Sequence, residues 1–277
     1  MNGLEKIKII FSDIDGTILP FTGKDLTASA RLIEALCAAG YIFVPCTGRG
    51  LHNIPQPLRD AKGIRYVITA NGAMVIDLES GETIRERRVS RELAAAITKT
   101  AEPFQSPLFS YRNGVHYLER KNGDPEYHRE NTSLRDWLAA AIRVDMNEFV
   151  QEEESASLDK MGFFSIDEAE KARFLERLDA DGLARQLTVS SSADWNLEIN
   201  AAGGNKGDAA VWLCEKLGFA RDEMLTAGDN LNDLSMILAG GISLAPANAM
   251  DEVKKAASCV VPDCRDNGVE DFLRQLL

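Results

Sequence analysis

KIKIIFSDIDGTILP, residues 6–20, carries an apolar run (Ile7, Ile9, Ile10, Phe11) into two carboxylates, Asp13 and Asp15, and then a Gly-Thr pair. Continuous rather than alternating apolarity suits a strand covered on both faces of a parallel sheet. Aspartate is a poor strand residue and is seldom buried without a partner. In an open parallel sheet, however, ligands bind beyond the carboxyl ends of the strands, which is where these two fall. Side chains two apart share one side of a strand, a relation that a turn at Gly16 loosens for Asp15. Alone, the Asp-x-Asp pair reads equally well as a solvated loop or a helix cap.

Working outward, Thr27 is expected to cap a helix that shows Leu32, Ile33 and Leu36 on one face and stops at Gly40. YIFVPC (41–46) reads as the next buried strand and RYVIT (65–69) as a third, a strand–helix–strand order that predicts right-handed crossovers in a doubly wound sheet. From residue 80 the pattern changes. A hairpin is expected around Ser80-Gly81, a helix from Ser90, and a second hairpin at Asn113-Gly114. Helical stretches at 132–142 and 168–179 and strands at 160–166, 184–190 and 194–199 follow. The alternating order resumes with helices at 206–217, 231–239 and 268–276 and strands at 223–227 and 241–245. The expected fold class is therefore α/β, a Rossmann-like doubly wound parallel-sheet core (residues 1–79 plus 197–277) with an inserted α+β domain (80–196).

A net charge of −12 argues against a nucleic-acid surface. Arg85, Arg87 and Arg88, the nearest thing to a basic cluster, read as one solvated strand face. Five cysteines without a CxxC spacing suggest reduced thiols rather than a disulfide framework. Three scattered histidines make a zinc site a poor expectation. The stretch 1–13 lacks a signal-peptide pattern, and no run approaches a membrane span. A cytoplasmic protein, monomeric or a small homo-oligomer, is expected, with neither membrane nor nucleic acid as partner.

Three further polar motifs stand at expected strand or helix ends. Thr47-Gly48-Arg49 offers a hydroxyl, a bare backbone amide and a guanidinium, donors suited to phosphate oxygens; it also reads as a polar turn. Lys206 opens a helix, adding a point charge where helix amides favour an anion, or else is a solvated side chain. Asp229-Asn230-Leu231-Asn232-Asp233 packs two carboxylates and two amides into one loop. Such oxygen ligands suit Mg²⁺, although Asp233 would also serve as a helix cap.

Taken in order, D-x-D-G-T, T-G-R, a lysine and G-D-x-x-N-D resemble the four motifs of the haloacid dehalogenase (HAD) phosphatase superfamily. Asn71-Gly-Ala73, Pro246-Ala-Asn248-Ala and Asn267-Gly268-Val269 resemble its Cof-type branch, whose type IIB α+β cap is inserted between the second and third motifs. Cys46, where the family often has Ala, and Pro246, where it often has Met, are the departures.

The resemblance implies a Mg²⁺-dependent phosphatase acting on small phosphorylated metabolites, sugar phosphates or phosphorylated cofactors, through an aspartyl phosphate. Asp13 would be the nucleophile and Asp15 the general acid and then base. The metal would be held by Asp13, the Asp15 backbone carbonyl and Asp229, with Asp233 direct or through water. Thr47, Gly48 and Lys206 would bind phosphoryl oxygens, Asn232 would support that network, and Arg49 would reach the substrate. A phosphotransferase or mutase of the phosphomannomutase type, and a non-catalytic phosphoryl sensor, are the alternatives. In the cap, Tyr111, Arg112, His116, Lys160, Asp194 and Trp195 are candidates for specificity. Trp137 with Leu134 and Leu138 reads as helix packing, and His52 as a loop residue without a role.

Overall fold

The apolar run becomes the strand Ile9–Ser12, buried throughout and flanked on both sides by parallel partners, Met224–Ala227 and Ile42–Pro45. The five-stranded sheet runs in the order Cys259–Val261, Ile242–Pro246, Met224–Ala227, Ile9–Ser12, Ile42–Pro45, all parallel. The chain leaves the first strand toward one edge and later returns on its other side. Asp13 therefore lies at a topological switch point, where crossovers diverge and leave a crevice. The computed structural model describes residues 3–20, 25–120, 138–152, 157–193 and 195–277.

Alternation along the first strand decides which helices cover it. Ile10 joins a cluster with Leu32, Ile33 and Leu36 of the helix Thr27–Ala38 and with Val269, Phe272 and Leu273 of Gly268–Leu273. Ile9 and Phe11 join a second cluster with Ala209, Ala210 and Leu213 of Lys206–Lys216. Helices thus cover both faces, and each fully buried Ile or Phe contributes about 1.5–3 kcal/mol. Cys46 is buried in the second cluster.

Two expectations are corrected here. Tyr66–Thr69 is not a full strand of the parallel sheet. It pairs antiparallel with Met74–Asp77, which pairs with Glu82–Glu86, and it meets the second strand only through a Cys46–Ile68 bridge. The turn at Ala70–Gly72 reverses the chain at once, so the strand takes its own hairpin as partner. Thr27 is the first helical residue rather than the cap; Asp25 Oδ1 accepts its N–H at 2.9 Å. The helix Asp251–Ala256 and the edge strand Cys259–Val261 were not foreseen.

Contacts divide the chain into two units, Met1–Glu86 with Gly204–Leu277, and Arg87–Gly203. Glu82–Glu86 belongs to the first, beyond the cut expected at 79/80, because it completes the three-stranded sheet. The second unit is built on a six-stranded sheet: Leu187–Ser190, Asn196–Ala201, Lys160–Phe164, Leu108–Arg112, Val115–Glu119, Ile142–Val144, antiparallel except for the last pair. Asn113 and Gly114, at φ +52° and +75°, make the tight hairpin turn. Ser90 caps the helix Arg91–Ala101 by accepting the Leu93 N–H. That helix and Glu168–Ala180 cover one face of the sheet through Ala94, Ile97, Phe174 and Leu178 against Met161, Phe163, Leu197 and Ile199. Among the described residues no helix is long and apolar enough to cross a membrane.

Candidate active site

Asp13 follows the first strand directly, and its N–H donates to Ala227 O at 2.9 Å, extending the sheet by one bond. The residue is 5% exposed. Lys206 is the first residue of its helix, because the Asn205 side chain caps the helix by accepting the Asp208 N–H at 2.8 Å. Its Nζ donates at 2.6 Å to Oδ1 of Asp13 and at 2.6 Å to Oδ1 of Asp233. The other Asp233 oxygen accepts the N–H groups of Asp229 and Asn230, each at 3.0 Å, which folds the 229–233 loop back on itself. Thr17 Oγ1 donates to Asp229 Oδ1 at 3.1 Å.

Asp13, Asp229 and Asp233 each present an oxygen within 4.8 Å of the others, and all three are buried. One ammonium faces three carboxylates. Burial, reinforced by the Asp233, Asp229 and Asp15 charges against the pull of Lys206, raises the Asp13 carboxyl well above its usual range. Burial and Asp233 push Asp229 up to about 7. For Lys206, burial opposes the charge, but Asp13 and Asp233 outweigh it and hold the ammonium above its ordinary value.

Asp15 stands apart from this cluster. Arg49 grips it with a two-pronged fork, Nε to Oδ2 at 2.8 Å and Nη2 to Oδ1 at 2.6 Å, and also donates from Nη1 to Asn53 O at 2.9 Å. Gly16 turns the chain at φ +81°, and a Cβ there would fall 2.2 Å from Asp229 Oδ2. Only glycine lets this turn approach the carboxylate so closely. Asn248 fixes the turn from the far side, donating from Nδ2 to Gly16 O at 2.7 Å.

Thr47 and Gly48 follow Cys46, whose N–H donates to Ser12 O at 2.8 Å, so the turn lies beside the start of the Asp13 loop. Thr47 is buried, and its Oγ1 accepts the Arg49 N–H at 3.1 Å. Asn232 Nδ2 donates to Asn71 Oδ1 at 3.2 Å. The structure thus joins Asp13, Lys206, Asp229 and Asp233 directly, pairs Asp15 with Arg49, and sets Thr47 and Asn232 in the adjoining loops. His52 is exposed.

In the second unit the strand period sorts the candidates. Tyr111 and His116 stack with ring centroids 5.0 Å apart, and Lys160 Nζ lies 5.2 Å from the Tyr111 centroid. Lys160 is buried in an ion pair with Glu198, a residue that sequence reasoning missed. Arg112 goes to the helix-covered side, over the Tyr117 and Phe149 rings, and bonds Glu152. Trp195 is 39% exposed and packs edge-on to Phe164. Asp194, Leu134, Trp137 and most of the helical stretch expected at 132–142 lie outside the described residues.

An acidic strand end at a switch point, joined to a buried lysine and a doubly acidic loop, matches a known family over nearly the whole chain. Residues 10–273 fit the family model described as haloacid dehalogenase-like hydrolase, and the chain belongs to that family. It is similar to the 5-amino-6-(5-phospho-D-ribitylamino)uracil phosphatase YcsE of Bacillus subtilis (strain 168), 28% identical over 97% of this chain and 95% of that protein. Its fold is that of the HAD subclass IIB sugar phosphatase BT4131, with TM-score 0.82 and 22% identity over 98% of this chain and 100% of that one. A haloacid dehalogenase-like hydrolase from B. subtilis superposes with TM-score 0.82 and 24% identity, covering 98% and 100%.

Proposed function

We propose that the protein is a Mg²⁺-dependent phosphatase of small phosphorylated metabolites, sugar phosphates or phosphorylated cofactors, working through an aspartyl phosphate on Asp13. The observation that carries this reading is the Lys206 ammonium bonded to both Asp13 and Asp233, beside Asp229. A nucleophilic carboxylate must be aimed and partly neutralised before an anionic substrate can approach it, and Lys206 supports both tasks. YcsE and BT4131, named as phosphatases of a ribitylaminouracil phosphate and of sugars, support the substrate class.

The donor set fits Mg²⁺. It is all oxygen, with three carboxylates against one ammonium, which suits a small hard dication. Asp13, Asp229 and the Asp15 carbonyl would hold the ion. Asp233 would contribute directly or through water, while its oxygens also serve Lys206 and the loop N–H groups. When bound, the ion supplies positive charge opposite the phosphoryl oxygens.

In the first half-reaction an Asp13 oxygen attacks phosphorus, the bond to the leaving oxygen breaks, and Asp15 gives that oxygen a proton. In the second, Asp15 takes a proton from water, whose oxygen attacks the aspartyl phosphate and frees Asp13 and inorganic phosphate. Both Asp15 oxygens are engaged by the Arg49 fork. Proton donation requires the fork to open, which releases Arg49 toward the substrate. Thr47, the Gly48 amide and Lys206 bind the phosphoryl oxygens. Because general acid–base catalysis supplies only about 10²–10⁴, the covalent route and this charge environment carry most of the rate.

The second unit, 87–203, is proposed as the cap that sets specificity, and the protein as a cytoplasmic monomer or small homo-oligomer that engages neither membrane nor nucleic acid. A panel of phosphorylated metabolites, assayed with and without Mg²⁺ for inorganic phosphate, tests the reading. Metal-dependent release is expected. Isomerisation of a hexose phosphate without release would instead identify a mutase.

A further inference from the structure

Asn71 occupies the turn between Tyr66–Thr69 and Met74–Asp77 with left-handed backbone (φ 60°, ψ 23°) and is 2% exposed. Three loops close on this turn. The Asn71 N–H donates to Thr47 O at 3.0 Å, and the Ala70 N–H to Arg49 O at 3.0 Å. Asn232 Nδ2 donates to Asn71 Oδ1 at 3.2 Å. Gly72 comes so near the Lys206 helix that a Cβ on it would fall 2.1 Å from Asn205 O and 2.8 Å from Lys206 N. These loops carry Thr47, Gly48 and Lys206, assigned above to the phosphoryl oxygens, together with Arg49 and Asn232.

At the centre of this convergence the Asn71 Nδ2 is buried and has no hydrogen-bond partner among the described residues. A buried amide donor left unpaired is costly, and native proteins keep few of them. The turn does not need the amide, since glycine adopts the same backbone without strain. Holding Asn232 needs only the oxygen end. The nitrogen end, buried on a residue that bonds the Thr47 and Asn232 loops, calls for an acceptor that arrives with the ligand.

We propose that Asn71 is a phosphate-binding residue of this site, its Nδ2 donating to a non-bridging phosphoryl oxygen while Asn232 holds its Oδ1. The assignment rests on the phosphatase reading above and adds a side-chain amide donor to the Thr47 hydroxyl, the Gly48 amide and Lys206. No covalent bond changes at Asn71. Its contribution is one hydrogen bond to an anion, present with inorganic phosphate as with substrate.

The test compares Asn71→Gly and Asn71→Asp with the wild type, using inorganic phosphate as the calorimetric ligand and p-nitrophenyl phosphate as substrate, both with Mg²⁺. Both variants tolerate the left-handed backbone. Asn71→Gly is expected to weaken phosphate binding and kcat/KM by about 10- to 100-fold, the range for a hydrogen bond to a charged group. Asn71→Asp keeps the acceptor for Asn232 but turns a carboxylate toward the anion, so it should be worse than glycine. A merely structural role predicts the reverse order, with aspartate near wild type. The proposal is overturned if Asn71→Asp binds phosphate within about twofold of wild type, or if Asn71→Gly does. Should one variant fail to fold by thermal melt, the other decides by the same criterion. A wild type that neither hydrolyses p-nitrophenyl phosphate nor binds inorganic phosphate sinks the parent reading and this assignment together. A wild type that does both, matched by the variants, sinks the assignment alone.

Discussion

Replacing Lys206 with methionine removes a positive charge bonded to two buried carboxylates while keeping the length of the side chain. Lys206 is 1% exposed and its two partners are likewise buried, so solvent cannot take over its role. Removing one partner from a buried ion pair costs about 3–5 kcal/mol, because the remaining charge is left uncompensated. For a protein of this size each kcal/mol shifts Tm by roughly 2–4 °C, so Lys206→Met should melt about 10 °C lower at neutral pH. Asp13 and Asp229 relieve part of this penalty by taking up protons, which their raised proton affinity already favours. The deficit should therefore narrow as the pH is lowered toward about 5.5. The same change removes a donor to the phosphoryl group and the aim of the nucleophile, for an expected loss of about 10³ in kcat. Differential scanning calorimetry at two pH values, with steady-state phosphate release, reads both effects. A variant with wild-type Tm and kcat would refute the reasoning, as would a Tm deficit that grows at lower pH.

Three further outcomes follow from particular contacts. Gly16→Ala puts a methyl group where Asp229 Oδ2 stands 2.2 Å away, on a backbone at φ +81°. The Mg²⁺ concentration for half-activation should rise by about tenfold or more, and an unchanged titration would count against the Asp229 role. Asp229, raised to about 7 in the fold, binds a proton more tightly there than in the unfolded chain. The stability linked to that proton is complete below about pH 4 and is lost as pH rises through about 7. Since Mg²⁺ replaces the proton, its gain in Tm should be larger at about pH 8 than at about pH 5.5; equal gains contradict this. In the second unit, Lys160→Met strands Glu198 and should cost about 3–5 kcal/mol in urea unfolding, while Lys160→Met with Glu198→Leu should recover most of it. A double variant as unstable as the single one would show that the charges are not the cause.

Much of the first unit was legible because parallel strands deliver their carboxyl ends to one edge. Residues placed directly after a buried apolar run, such as Asp13 and Thr47, therefore announce a shared location before any contact is known. The hairpins at Gly81 and Asn113-Gly114 were legible because their turn geometry is local. What escaped was set by tertiary partners. Tyr66–Thr69 has the composition of a buried strand, but its sheet was decided by the reversal at Ala70–Gly72. Asn71 appeared only as part of a family signature; its bond to Asn232 spans 161 positions and leaves no periodic trace. The fork between Arg49 and Asp15 joins two residues that had been given separate tasks. Glu198 alternates with Leu197 and Ile199 as a solvent-face residue would, and became conspicuous only through Lys160.

The central claim is that Asp13 carries the phosphoryl group, and its most direct test is to quench the enzyme in acid during turnover of a phosphorylated substrate with Mg²⁺ and map the protein by mass spectrometry. The account predicts a one-phosphoryl mass increment on the peptide containing Asp13, absent from Asp13→Asn, which should release no phosphate. Steady phosphate release by Asp13→Asn, or an increment carried by another residue, would contradict it.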